Sequence, residues 1–192
     1  MSETQDNQNM DADGPAWLPG DPPPADRLAR MIRVDQAGEY GAVRIYEGQR
    51  AMLRAGPAAD AVDHMAAQEA DHLAVFERMI VENRVRPTLL NPLWRVAGYA
   101  LGAGGALLGE KAAMACTVAV EEVIDEHYAR QATRLGDREP ALRAVIEKFR
   151  ADELQHRDTG LAHGAKDAPA HDALTAAVKA GSRLAIWLSE RI

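Results

Sequence analysis

Two short runs constrain this chain more than any other feature: Glu69-Ala70-Asp71-His72 and Glu153-Leu154-Gln155-His156. In each, a carboxylate and an imidazole stand three residues apart. On a helix this puts them on one face about one turn from each other, so that each pair can grip one metal ion. A glutamate in an apolar stretch precedes each pair at nearly the same distance: Glu39 lies 30 residues before Glu69, and Glu121 lies 32 before Glu153. The single glutamates are offset by 82 residues and the pairs by 84. The chain therefore reads as a duplicated unit.

The spacing also predicts where the chain folds back. Residues on the two arms of an antiparallel helical hairpin are level only when the turn lies near their midpoint, because both arms rise at about 1.5 Å per residue. The midpoint of 39 and 69 is 54, and Gly56-Pro57 follows it; the midpoint of 121 and 153 is 137, inside Gly136-Asp137. Glycine ends helices and proline restarts them. Four helices would then turn four carboxylates and two imidazoles into one core, the arrangement of ferritin-like di-iron and di-manganese carboxylate proteins. The expected fold class is all-α, a ferritin-like four-helix bundle with an extra apolar crossover segment and a C-terminal amphipathic helix.

Length and charge set the remaining bounds. A chain of 192 residues is long enough for one domain with a sizeable core. The net charge of −7 is concentrated at one end, since residues 1–26 hold six acidic side chains and no Lys or Arg. The rest is nearly neutral, which argues against nucleic acid as a partner. Residues 1–25 also carry half of the ten prolines and no apolar periodicity, so they read as a disordered acidic tail before a domain spanning 26–192. They lack the basic and apolar regions of a secretory signal. The single cysteine, Cys116, leaves no intramolecular disulfide and fits a reducing cytosol; its apolar surroundings mark it as a small core residue.

Taken in order, Asp26 is the expected N-cap of a first helix running to about Arg54, and a second helix covers about Ala58 to Asn83. From Val96 to Gly109 come 14 residues without a charge, five of them glycine. That is too short for a membrane-spanning helix of roughly 20 residues, and it suits either a core crossover or contact with a membrane. Helices over about Glu110 to Leu135 and Pro140 to His163 follow. A last one, about Pro169 to Arg191, sets Leu184, Ile186, Trp187 and Leu188 beside Lys179, Arg183 and Arg191. A basic and apolar helix with a tryptophan has the character of one lying in a membrane interface, and equally of one packed on the bundle. The expectation is peripheral attachment to the cytoplasmic face of the cell membrane.

The chemistry follows from the donor types. Six oxygen and nitrogen ligands without thiolate favour iron or manganese over structural zinc. Four glutamates also balance two divalent ions, as buried carboxylates need if they are to stay ionised. Glu39, Glu69 and His72 from one hairpin, and Glu121, Glu153 and His156 from the other, are the candidate ligands of two metals; Glu69 with Glu121 or Glu153 are candidates to bridge them. Spacing alone does not separate Glu121 from Glu122. Tyr46 lies seven residues after Glu39 and Tyr128 seven after Glu121, so each can border the metals or fill the core. Asp35 is a candidate acceptor for a ligating histidine. His64, His163 and His171 read as surface residues, and His127 stays open.

At this point a family resemblance emerges. The segments Val34-Asp35-Gln36-Ala37-Gly38-Glu39-Tyr40-Gly41-Ala42, Cys116-Thr117-Val118-Ala119-Val120-Glu121-Glu122 and Leu184-Ala185-Ile186-Trp187-Leu188-Ser189-Glu190-Arg191 resemble those of the demethoxyubiquinone hydroxylases, di-iron monooxygenases of ubiquinone biosynthesis. The resemblance covers about residues 26 to 192. It implies two iron ions per chain, O₂ as co-substrate, a polyprenyl demethoxy-benzoquinol hydroxylated on its ring, and NADH as reductant. It further implies Glu121 as the ligand in preference to Glu122, places His127 and Tyr128 on the electron route, and makes other proteins of ubiquinone biosynthesis expected partners. Gly38 and Gly41 would leave room for a flat ring beside Glu39. The main alternative is a ferritin-like iron-storage or ferroxidase protein, and a further one is a membrane-bound scaffold with a structural metal site.

Overall fold

A computed structural model describes residues 24–192, with side chains from Asp26 onward. The acidic tail expected over residues 1–25 thus lies outside the described residues, except for its last two. Six α-helices make up the fold: α1 (Pro24–Met52), α2 (Pro57–Glu82), α3 (Asn91–Leu107), α4 (Glu110–Leu135), α5 (Pro140–Ala162) and α6 (His171–Ser189). One 3₁₀ turn, Ala165–Asp167, precedes α6, and there is no strand among the described residues. The all-α, ferritin-like bundle expected from the sequence is the architecture found.

The two hairpins turn where the midpoints required. α1 stops at Met52 and α2 restarts at Pro57; α4 stops at Leu135, Gly136 takes a left-handed φ of 52°, and α5 restarts at Pro140. Only a residue without Cβ adopts that conformation without strain, so Gly136 is a structural requirement of the second turn. Asp26 departs from expectation. Helix α1 begins at Pro24, so Asp26 sits in the first turn, where its charge complements the helix dipole, and not at the N-cap.

Across the bundle α1 faces α4, and α2 faces α5. Two apolar clusters close its ends: Leu53, Val62, Met65, Met114 and neighbours at one, and Ile32, Phe76, Ile146, Phe149 and neighbours at the other. The alanine-rich run Ala112–Ala119 keeps α4 thin enough to be wrapped by α3, α5 and α6, and Cys116 within it is fully buried.

The uncharged segment is itself a helix. One face of α3 buries Gly98, Gly102, Gly105 and Ala106, and the other leaves Val96, Tyr99 and Leu107 exposed. The glycines have a steric reason: a Cβ on Gly102 would lie 1.9 Å from Ile45 O, and one on Gly48 of α1 would lie 2.2 Å from Tyr99 O. The α1 and α3 backbones therefore touch. The crossover and surface readings of this segment each describe one face of the same helix.

α6 packs on α4 as α3 packs on α1, and the two begin 80 residues apart. The duplication therefore extends to a third helix in each half. At their ends α3 and α6 meet, where Trp94 Nε1 donates to Ser189 Oγ (3.0 Å) and Leu89 N donates to Ile192 O (3.3 Å). The basic residues of α6 and its C-terminal end are partly engaged with the bundle. Lys179 pairs with Glu122 and Arg183 with Glu126 (3.1 Å), so both turn toward α4, while Arg191 lies over the Trp187 ring at 4.2 Å. Of its large apolar side chains α6 leaves Leu184 and Trp187 exposed, beside the exposed Arg183.

Candidate metal centre

The four bundle helices bring all six expected ligands together at the centre. Glu39 comes from α1, Glu69 and His72 from α2, Glu121 from α4, and Glu153 and His156 from α5. Each is at most 2% exposed. Their ligand atoms form two overlapping groups, Glu39, Glu69, His72 and Glu153 in one and Glu69, Glu121, Glu153 and His156 in the other, each with all atoms within 4.8 Å of one another. Glu69 and Glu153 belong to both groups. The choice between Glu121 and Glu122 is made by the helix face: Glu121 is buried in the cluster, while Glu122 pairs with Lys179 on α6.

Both imidazoles turn Nδ1 toward the carboxylates. His72 Nδ1 is 3.4 Å from Glu153 and 3.7 Å from Glu39; His156 Nδ1 is 3.1 Å from Glu69 and 3.2 Å from Glu153. The outer nitrogens are held from across the hairpins. His72 Nε2 donates to Asp152 Oδ2 (3.1 Å), and His156 Nε2 donates to Gln68 Oε1 (3.2 Å). Such outer partners fix the orientation and tautomer of a ligating histidine. Neither was found from the sequence. A signal existed, because each is the polar residue immediately before the glutamate of an E-x-x-H run.

The tyrosines follow the same crossed pattern. Tyr46 of the first hairpin donates to Glu121 Oε1 of the second (2.7 Å), and Tyr128 of the second donates to Glu39 Oε1 of the first. Burial, reinforced by the charges of Glu121 on Tyr46 and of Glu39 on Tyr128, holds both phenols well above their usual range, so they remain donors. Asp35 accepts from Gln131 Nε2 (2.8 Å) and His127 Nε2 (3.2 Å). It therefore serves His127 and not a histidine of the cluster. His127 itself stands outside the cluster, on the wall of a cavity of about 780 Å³ between α1, α4 and α6, whose apolar side includes Met31, Val34 and Trp187. Of the other histidines, His64 is exposed, and His171 Nδ1 is partly buried and donates to Ala165 O (2.9 Å).

The electrostatics are those of a centre built for cations. Burial, then the neighbouring Glu153, raises Glu69 and Glu121 well above the usual carboxylate range. Glu153 goes the other way: burial pushes it up, but the imidazoles of His156 and His72 beside it outweigh this and pull it down to about 2. Burial pushes His72 down, yet the carboxylates of Glu153 and Glu39 beside it win and raise it to about 10. Six buried atoms of the cluster make no hydrogen bond: Glu39 Oε2, both oxygens of Glu69, His72 Nδ1, Glu121 Oε2 and Glu153 Oε1. Unpaired buried polar atoms are rare and cost about 1–3 kcal/mol each, more when charged. Two divalent ions fit them in number, charge and donor type.

A ferritin-like bundle with four buried carboxylates and two imidazoles in two overlapping groups, each able to hold a metal ion, defines the class. Within that class the match is specific. The family model described as ubiquinone biosynthesis protein COQ7 matches residues 26–189, and this chain belongs to that family. The chain is 60% identical over 176 residues to the 3-demethoxyubiquinol 3-hydroxylase of Rhodospirillum rubrum, covering 91% of this chain and 83% of the relative. It is 53% identical over 167 residues to the human NADPH-dependent 3-demethoxyubiquinone 3-hydroxylase, mitochondrial, covering 85% and 77%. The 5-demethoxyubiquinone hydroxylase, mitochondrial, of Saccharomyces cerevisiae is 42% identical over 182 residues, covering 86% and 78%.

Proposed function

We propose that this chain is a monooxygenase that hydroxylates the ring of a polyprenyl demethoxy-benzoquinol in ubiquinone biosynthesis, using two irons, O₂ and a reduced nicotinamide nucleotide. The observation that carries the reading is the set of six buried, unbonded ligand atoms at the centre of the bundle. The names of the relatives supply the substrate class and the reaction, and they give the iron-storage alternative no support.

In this reading Glu39, Glu69, His72 and Glu153 would hold one ion and Glu69, Glu121, Glu153 and His156 the other. The ions supply the redox chemistry that activates O₂. Tyr128 and Tyr46 each tie down one oxygen of a terminal carboxylate and leave the other for the metal. The two apolar end clusters keep water from the centre. The ring approaches from the cavity bordered by His127. Gly38 and Gly41, where a Cβ would meet nothing within 4 Å, leave room beside Glu39 on α1.

A substrate with a long isoprenoid tail also gives a reason for the exposed Val96, Tyr99 and Leu107 of α3 and Leu184 and Trp187 of α6. Because α3 and α6 are joined at their ends, these side chains suit attachment to a membrane surface. No helix among the described residues is long and apolar enough to cross a membrane. In this reading the attachment is peripheral, through these side chains.

The test is anaerobic reduction of the iron-loaded protein in the presence of a short-chain quinone, with NADH and NADPH compared, followed by ¹⁸O₂ and mass analysis. The expected result is one labelled oxygen on the ring. The sequence resemblance implies NADH, whereas the human relative is named for NADPH; the faster reductant decides for this chain. An unchanged ring mass with oxidised metal would replace the reading with ferroxidase activity.

A further inference from the structure

The two candidate metal positions are matched in their direct ligands and differ one step further out. Each draws on Glu69 and Glu153, one further glutamate and one imidazole, and each further glutamate accepts a hydrogen bond from a tyrosine. The match ends behind the imidazoles. His72 Nε2 donates to a carboxylate, Asp152 Oδ2, at 3.1 Å, while His156 Nε2 donates to a neutral amide, Gln68 Oε1, at 3.2 Å.

The same bias recurs one turn before the single glutamates. Three residues past Tyr128, Gln131 Nε2 donates to Asp35 Oδ1 (2.8 Å), four residues before Glu39. Three residues past Tyr46, Gln49 Nε2 donates to Thr117 Oγ1 (3.1 Å), four residues before Glu121. The duplicated halves thus keep the hydrogen-bond scaffold and exchange its acids for neutral groups. Both acids fall on the Glu39–His72 side.

A carboxylate behind an imidazole makes the opposite ring nitrogen a better donor to a cation and adds attraction of its own; an amide supplies no charge. Lys148 Nζ also donates to Asp152 Oδ2 (2.7 Å), but its side chain is 67% exposed against 16% for Asp152. Water screens the ammonium far more than the carboxylate, so the net field at His72 stays negative.

We propose that the two positions fill in a fixed order. The Glu39–His72 position, backed by Asp152 and Asp35, takes the first ion, and the Glu121–His156 position, backed by Gln68 and Thr117, takes the second. The inference rests on the two-metal reading above. Asp152 touches no ion; it acts through His72 as a positioning residue.

The experiment titrates the metal-free full chain with Mn²⁺ alone, following two dissociation constants and the paramagnetic resonance spectrum. Wild type at one equivalent should give the signal of isolated Mn²⁺, and the second equivalent should convert it to that of a coupled pair. Asp152→Asn keeps the shape and removes the charge. It should weaken the first step by about 10–100-fold, so that coupled pairs appear from the first additions. Gln68→Glu should strengthen the second step, to the same spectral effect. His156→Ala should retain the tight first equivalent, and His72→Ala should lose it. Asp35→Asn, should Asp152→Asn fail to fold, must weaken the same first step. Uptake of two ions with a first constant unmoved by Asp152→Asn, or by Asp35→Asn where that variant stands in, would overturn the order alone. So would loss of the tight equivalent in His156→Ala but not in His72→Ala. Uptake of fewer than two ions by wild type would overturn the centre and the order together.

Discussion

Glu153 is the residue on which the centre turns. It belongs to both ligand groups and is held down by both imidazoles, whereas Glu39 belongs to one group. Glu153→Ala should therefore abolish uptake of both metals, and Glu39→Ala should leave one ion per chain. Both should lower hydroxylation by about 100-fold or more, beyond the range seen for outer partners; metal analysis beside turnover checks this. Titration gives a second expectation. In the metal-free protein Glu69, Glu121 and His72 all hold protons more tightly than usual. Metal must displace them, so affinity should rise with pH and protons should be released, as calorimetry in two buffers would register. His72, raised from 6.5 to about 10, stabilises the metal-free fold fully below pH 6.5, and this is lost as pH climbs through about 10. Urea unfolding of the metal-free chain should show that decline between pH 7 and 10. The six clustered side chains were legible in the sequence because a carboxylate inside an apolar stripe contradicts its surroundings. Asp152 and Gln68 were not, because each lies about 100° around its helix from its neighbouring ligand and meets an imidazole of the other hairpin, a fact of packing between halves.

Among the elements, α3 departs most from what its residues suggest. Four glycines within α3 lower its helix propensity, yet the segment is helical because small residues let it lie against the α1 backbone. Propensity yields to tertiary contact here, which is why the crossover was legible as apolar but not as a helix with two faces. Gly102→Ala and Gly48→Ala push a Cβ into backbone oxygens, which cannot swing aside as a side chain can. Each should cost about 1–3 kcal/mol or more in unfolding experiments. Gly181→Ala in α6 meets nothing within 4 Å and should stabilise by roughly 0.5–1 kcal/mol through helix propensity. Equal effects at the three positions would show that close approach is not what the α3 glycines serve.

For the whole molecule, the joined outer faces of α3 and α6 tie the proposed chemistry to a surface. Val96→Ser with Leu184→Ser, neither of them on the cavity wall, should reduce co-sedimentation with lipid vesicles and raise KM for a long-tailed substrate. The same double variant should leave kcat and KM for a short-chain quinone, and metal content, close to wild type. A parallel loss with both substrates would mean that the two side chains serve the bundle itself. The crossed bonds have a wider consequence. Tyr46 to Glu121, Tyr128 to Glu39, Gln68 to His156 and Asp152 to His72 all run from one half to the other. In effect the molecule is a two-fold dimer tied by a single link at Leu108 and Gly109, with each half supplying what the other lacks. Severed at that link, neither fragment should hold metal by itself. Produced together, the two should find one another and rebuild the centre as separate chains.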